Sequence, residues 1–94
     1  MTLTRVVHCK REPFDIYIGR PTKWANPFVI GRDGTRKQVI AKFRDYASTQ
    51  FTDAELRELH GKVLGCWCKP KDCHGDVLAF MSAAAARLKG KVDA

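Results

Sequence analysis

Three thiols and an imidazole fall within nine residues, as Cys66, Cys68, Cys73 and His74, and a carboxylate, Asp76, follows two positions later. Sulfur and imidazole at that density can attack a substrate, bind a metal ion or pack as small apolar groups. Cys73 and His74 stand where an apolar run gives way to a helical pattern. The unpaired N–H groups and the dipole of a helix start favour anions and depress a thiol pKa, so Cys73 is the candidate nucleophile. His74 and Asp76 form a candidate acid/base or ligand-binding pair, and Asp76 reads equally as a plain helix-start carboxylate. Cys66 and Trp67 read mainly as core. A zinc site through Cys66, Cys68, Cys73 and His74 is conceivable, and Cys9 or His8 could complete another ligand set. Adjacent ligands at 73 and 74, and a Cys-X-Cys pair on a straight strand, depart from the knuckles that wrap a tetrahedral ion. The expectation is therefore no metal and no cofactor.

A second segment, Gly19-Arg20-Pro21-Thr22-Lys23-Trp24-Ala25-Asn26-Pro27-Phe28, suits a phosphate-bearing ligand. Arg20 and Lys23 can grip phosphate, Trp24 offers a flat face to a base, Asn26 can read hydrogen-bonding edges, and Gly19 permits close backbone approach. The competing reading folds Trp24, Pro27 and Phe28 back as a satellite core beneath two exposed cations.

The elements that must position these segments follow from period and breakers. Residues 4–9 and 14–18 read as strands, and Pro21 and Pro27 keep residues 19–28 irregular. Thr35 with Gln38, and Thr52 with Glu55, are capping boxes that open two helices, the second ending at Gly61. Residues 62–68, nearly all apolar, read as a buried central strand in which Cys66 and Cys68 share one face. Asp72 caps a third helix with Val77, Leu78, Met81, Ala84, Ala85 and Leu88 in one stripe, ending near Gly90. The order predicts one α/β domain over residues 1–94, a small sandwich whose central sheet is flanked by about three helices. A strand delivering its carboxyl end to a helix start is where open α/β sheets bind ligands.

Charge points the same way. The net charge is +7, and residues 1–50 carry ten Lys/Arg against four Asp/Glu. Such a field concentrates phosphate-bearing partners, although positive charge also serves solubility. No apolar run approaches the roughly 20 residues that span a bilayer, and the first residues lack the apolar stretch of an export signal. A cytoplasmic location, free thiols and no membrane partner are expected.

Together the two segments resemble an uncharacterised family of small bacterial and phage proteins, a domain of unknown function. Its pattern is matched here by Gly19, Arg20, Trp24, Asn26, Pro27 and Phe28, then by Cys66, Trp67, Cys68, Cys73, His74, Gly75, Asp76, Val77 and Leu78. The late segment is also similar to that of another small α/β family whose motif ends in Cys-His-Arg. Gly75 replaces the arginine here, and that likeness implies fold class alone.

The leading expectation is a nucleotide-like or nucleic-acid phosphate ligand between the 19–28 loop and the 68–76 turn. Trp24 would stack, Arg20 and Lys23 would hold phosphate, and the helix start at Cys73 to Asp76 would complete the site. Two other readings stay open. One is a hydrolase or transferase working through Cys73 or through His74 and Asp76. The other is a zinc-stabilised module or a phage protein that binds a host protein.

Overall fold

Both capping boxes form. In the computed structural model, which describes residues 4–93 and the side chains of residues 4–87, Thr35 Oγ1 accepts from Gln38 N at 3.3 Å and Gln38 Oε1 from Thr35 N at 2.8 Å. Thr52 and Glu55 repeat the exchange at 3.1 Å in each direction. Each box satisfies donors that a helix start leaves open. They launch α1 (Arg36–Gln50) and α2 (Asp53–Arg57). A turn then reaches Gly61, whose φ of 77° lies in the region that glycine enters without penalty.

The apolar run beyond Gly61 becomes β3 (Val63–Cys66), and it is central as its composition requires. It pairs in parallel with β1 (Arg5–His8) on one side and β2 (Ile16–Tyr17) on the other, giving the order β1-β3-β2. Val6, Leu64 and Ile16 are in register, and this face joins the core of Phe43, Leu56, Val77 and Leu78 from the helices and Leu59 from the turn after α2. Gly65 points the other way, where a Cβ would lie 2.6 Å from the Phe14 ring. Glycine at this point lets an aromatic ring lie directly on the central strand.

The strands are shorter than their patterns predict. β3 stops at Cys66, so Cys68 lies in the bend that follows, where Lys71 N donates to the Cys68 carbonyl at 2.9 Å. α3 (His74–Asp93) starts after Cys73 rather than after Asp72, and runs past Gly90. Leu88, expected in its apolar stripe, lies outside the described side chains. Among the described residues no helix is long and apolar enough to cross a membrane.

One consequence for stability follows from the second box. The Thr52 N–H, and then the Lys23 ammonium, hold the Glu55 carboxyl below the usual carboxylate range. A depressed folded pKa contributes stability that is complete above the unfolded value and is lost as pH falls through the folded one. The melting temperature is therefore expected to drop on acidification below the ordinary glutamate range. In Glu55→Gln that part of a Tm-against-pH curve should flatten.

Candidate functional site

β2 and β3 both deliver their carboxyl ends to one side of the sheet, and the chain leaves them as the 18–30 loop and the 67–73 turn. With the first turns of α1 these loops enclose a cleft of about 530 Å³, a volume suited to a small organic ligand. Phe28, Val29, Ile30, Val39 and Ile40 make one wall apolar. Arg20 and Arg36 supply cations, and Tyr17 and Trp67 supply aromatic surface. Cys66, Cys68 and His74 also line it.

The two arginines are anchored through backbone carbonyls and keep donors to spare. Arg20 Nη2 donates to the Asn26 carbonyl at 3.3 Å, and Arg36 Nη1 to the Asp72 carbonyl at 3.0 Å. The second bond ties the start of α1 to the turn after β3. Trp67 Nε1 donates to Tyr17 Oη at 2.8 Å, which fixes an indole that remains 55% exposed.

Several expected roles move. Trp24 is only 7% exposed, its ring 4.8 Å from that of Phe51, so it belongs to the core and offers no face to a ligand. Lys23 Nζ lies over Trp24 at 4.7 Å from the ring centre and pairs with Glu55 at 3.3 Å, away from the cleft. Asn26 does line the cleft, but its side chain is spent locally. Nδ2 donates to the Val39 carbonyl at 3.2 Å and Oδ1 accepts from Phe28 N at 2.9 Å, which pins the loop to α1. Trp67, expected in the core with Cys66, instead lines the cleft beside Tyr17 with its ring largely exposed.

The helix start is likewise self-contained. Asp76 Oδ2 accepts from Cys73 N at 3.2 Å, and its Oδ1 meets Lys69 Nζ at 2.7 Å. Gly75 N donates to Cys73 Sγ at 3.3 Å. A carboxylate of the chain itself thus occupies the position expected for a ligand anion, and Asp76 is the plain helix-start residue. His74 Nε2 lies 3.0 Å from the Ile18 carbonyl, which can only accept, so Nε2 carries the proton. Burial pushes the His74 pKa down, and the neutral ring packs edge-on to Phe43 at 5.0 Å. It clasps the start of α3 to the end of β2.

The thiols divide by access. Cys73 and Cys66 are 1% and 3% exposed with their sulfurs 3.0 Å apart, whereas Cys68 is half-buried and lines the cleft. The neighbouring Cys66 and Cys73 sulfurs, and then the Arg36 guanidinium, push the Cys68 thiol pKa down. Cys73 is pushed up by the Cys66 and Cys68 sulfurs and by burial. Cys73, the expected nucleophile, is sealed inside the fold, and Cys68 is the more accessible of the clustered thiols. In reduced, chelator-treated protein, iodoacetamide should modify Cys68 and the half-buried Cys9, leaving Cys66 and Cys73 protected until denaturant is added. Peptide mapping of the alkylated sites reads this out.

Arg36 and Tyr17 escaped the sequence reading, which took Trp67 as core and Cys68 only as a conceivable zinc ligand. For Arg36 a signal exists. It is the first residue of α1, a helix with no acidic residue in its first turn, and a cation there opposes the dipole.

Fold and site together define a small α/β domain with a ligand-sized basic cleft at the carboxyl edge of a three-stranded parallel sheet. The chain belongs to the family described as Domain of unknown function (DUF4326), whose model matches residues 2–91. It is similar to an uncharacterized 12.4 kDa protein of the nrdA-td intergenic region of Enterobacteria phage T4, at 43% identity over 85 residues. That alignment covers 84% of this chain and 77% of the phage protein. It is also similar to an uncharacterized protein of Acanthamoeba polyphaga mimivirus, at 34% identity over 83% of this chain and 78% of the viral protein. No solved structure matches.

Proposed function

We propose that this domain binds a nucleotide-class ligand, an aromatic ring carrying phosphate, in the cleft between the 18–30 loop and the 67–73 turn. The observation that supports this most is the convergence of Arg20, Arg36 and a fixed, exposed Trp67 on one cleft of about 530 Å³ with an apolar wall. The guanidinium groups would take phosphate oxygens through charge-assisted hydrogen bonds, and the base would lie between Trp67 and the apolar wall. The net charge of +7 adds long-range attraction for such an anion.

Binding fits the site better than the reactions considered for Cys73, His74 and Asp76. Each of those groups is engaged inside the fold, in the thiol cluster, with the Ile18 carbonyl, or with Lys69 and the Cys73 N–H.

Calorimetry at low salt against nucleoside mono-, di- and triphosphates and short oligonucleotides decides the matter. Saturable heat from nucleotides, weakening as salt rises, is expected. A preference for oligonucleotides over single nucleotides would move the ligand class to nucleic acid. No heat from any of them sinks the reading.

A further inference from the structure

The straight-strand objection to metal binding disappears once β3 ends at Cys66. The chain bends at Trp67 and Cys68, and the start of α3 then brings Cys73 back over the strand end. The Sγ atoms of Cys66, Cys68 and Cys73 all lie within 4.8 Å of one another. The Cys73 and Cys66 sulfurs are 3.0 Å apart. Sulfurs bound to one zinc at about 2.3 Å in tetrahedral geometry stand about 3.8 Å apart. The trio therefore brackets the required spacing, and side-chain rotations of a few tenths of an ångström per sulfur would meet it.

The geometry points to a three-thiolate site for a borderline-soft divalent cation, zinc above all, formed by Cys66, Cys68 and Cys73, with its fourth coordination position on the cleft side. Three thiolates and a divalent ion leave one net negative charge. Two positive features adjoin it: Arg36 lines the same cleft as Cys66 and Cys68, and Gly75 N donates to Cys73 Sγ at 3.3 Å. Each sulfur loses its proton to water as it bonds the metal, and no electron is transferred, so neither oxidant nor reductant is required.

The ligand set differs from the one the sequence suggested. His74 Nδ1 lies 3.7 Å from Cys73 Sγ, but it is not among the donor atoms that all stand within 4.8 Å of one another, which are the three sulfurs. Cys73 is 1% exposed, whereas Cys66 and Cys68, like the His74 ring, line the cleft. The unfilled position thus faces the space that Arg20 and Arg36 border. A site with three protein ligands and one open position is the arrangement of reactive rather than purely structural zinc. An anionic group of the bound ligand, or a water, would occupy it. That last step rests on the nucleotide reading of the cleft, whereas the metal site itself does not.

Cobalt(II) is the probe. Reduced, chelator-stripped protein titrated with Co²⁺ is expected to bind one ion per chain with a near-ultraviolet thiolate-to-cobalt charge-transfer band. Zn²⁺ should bleach that band, and native mass spectrometry should show one zinc. Cys68→Ser, a change at a half-buried position, is expected to lose the band while keeping the fold by circular dichroism, and Cys9→Ser to retain it. A folded wild-type protein with no band and no metal mass overturns the proposal. So does a band that survives in Cys68→Ser or vanishes in Cys9→Ser. If no metal binds and iodoacetamide instead yields a single rapid adduct at Cys68, the cluster serves a reactive thiol and the proposal is likewise overturned. Arg20→Ala separates the two readings: Arg20 is anchored on the Asn26 carbonyl, so this variant should retain the cobalt band, and a wild-type protein that binds cobalt but no nucleotide defeats the cleft reading alone.

Discussion

Trp24→Ala is expected to cost the fold about 3–5 kcal/mol, while Trp67→Ala costs less than about 1 kcal/mol and acts on ligand binding instead. The two indoles occupy opposite environments. Trp24 is 7% exposed, packs on Phe51 at 4.8 Å and anchors the 18–30 loop to the helical core, so its removal leaves a cavity lined by Phe51 and its neighbours. Against the roughly 5–15 kcal/mol that typically holds a domain together, this is a large loss, visible as a shifted midpoint in urea. Trp67 is 55% exposed, and its truncation removes one hydrogen bond to Tyr17 and the surface on which a base would lie. Loss of stacking alone corresponds to about 1–3 kcal/mol, or roughly 5- to 150-fold in Kd. A Trp24→Ala protein of normal stability that no longer binds nucleotide would reverse the assignment of the two residues.

Replacing Arg20 and Arg36 together is expected to abolish measurable nucleotide binding. A hydrogen bond to a charged group contributes about 1.5–3 kcal/mol, so each alanine should weaken binding by about 10- to 150-fold. The two single variants differ in a second respect. Arg36→Ala also releases the Asp72 carbonyl from its 3.0 Å bond, so the 67–73 turn should gain backbone hydrogen exchange. Arg20→Ala should leave that turn unchanged. Arg36→Lys retains charge without the planar fork and should fall between wild type and alanine. Lys23→Ala is the control. Its partner is Glu55 and its stem covers Trp24, so calorimetry should find nucleotide affinity near wild type.

The residues that sequence reading placed well are those whose partners are close in the chain. Thr35 with Gln38 and Thr52 with Glu55 are three residues apart, and the backbone geometry of any helix start brings them together. The central position of β3 was legible for a related reason. A strand buried on both faces must be apolar throughout, and residues 63–66 meet that requirement without reference to the rest of the chain.

The site was misread where its contacts cross the sequence. Nothing near Trp24 or Trp67 states which ring is buried, because the answer depends on Phe51 for one and Tyr17 for the other. Arg36 joins the cleft through Asp72, a residue 36 positions away, and lies outside both chemical segments. Asp76 and the helix-start N–H groups carry the right chemistry for an anion, but the chain satisfies them internally.

The cysteines show the division most plainly. The sequence by itself determined that three thiols share one neighbourhood at the end of a buried strand, since eight residues of chain cannot separate them widely. Only the tertiary structure decided that the strand stops at Cys66, that the turn folds Cys68 toward the cleft beside Arg36, and that α3 seals Cys73 behind it. Strand ends are set by where pairing partners run out. Here β2 ends opposite Gly65 and β1 ends with His8 opposite Cys66, so no ladder partner extends past Cys66 and the chain of β3 passes into the bend that gathers the sulfurs.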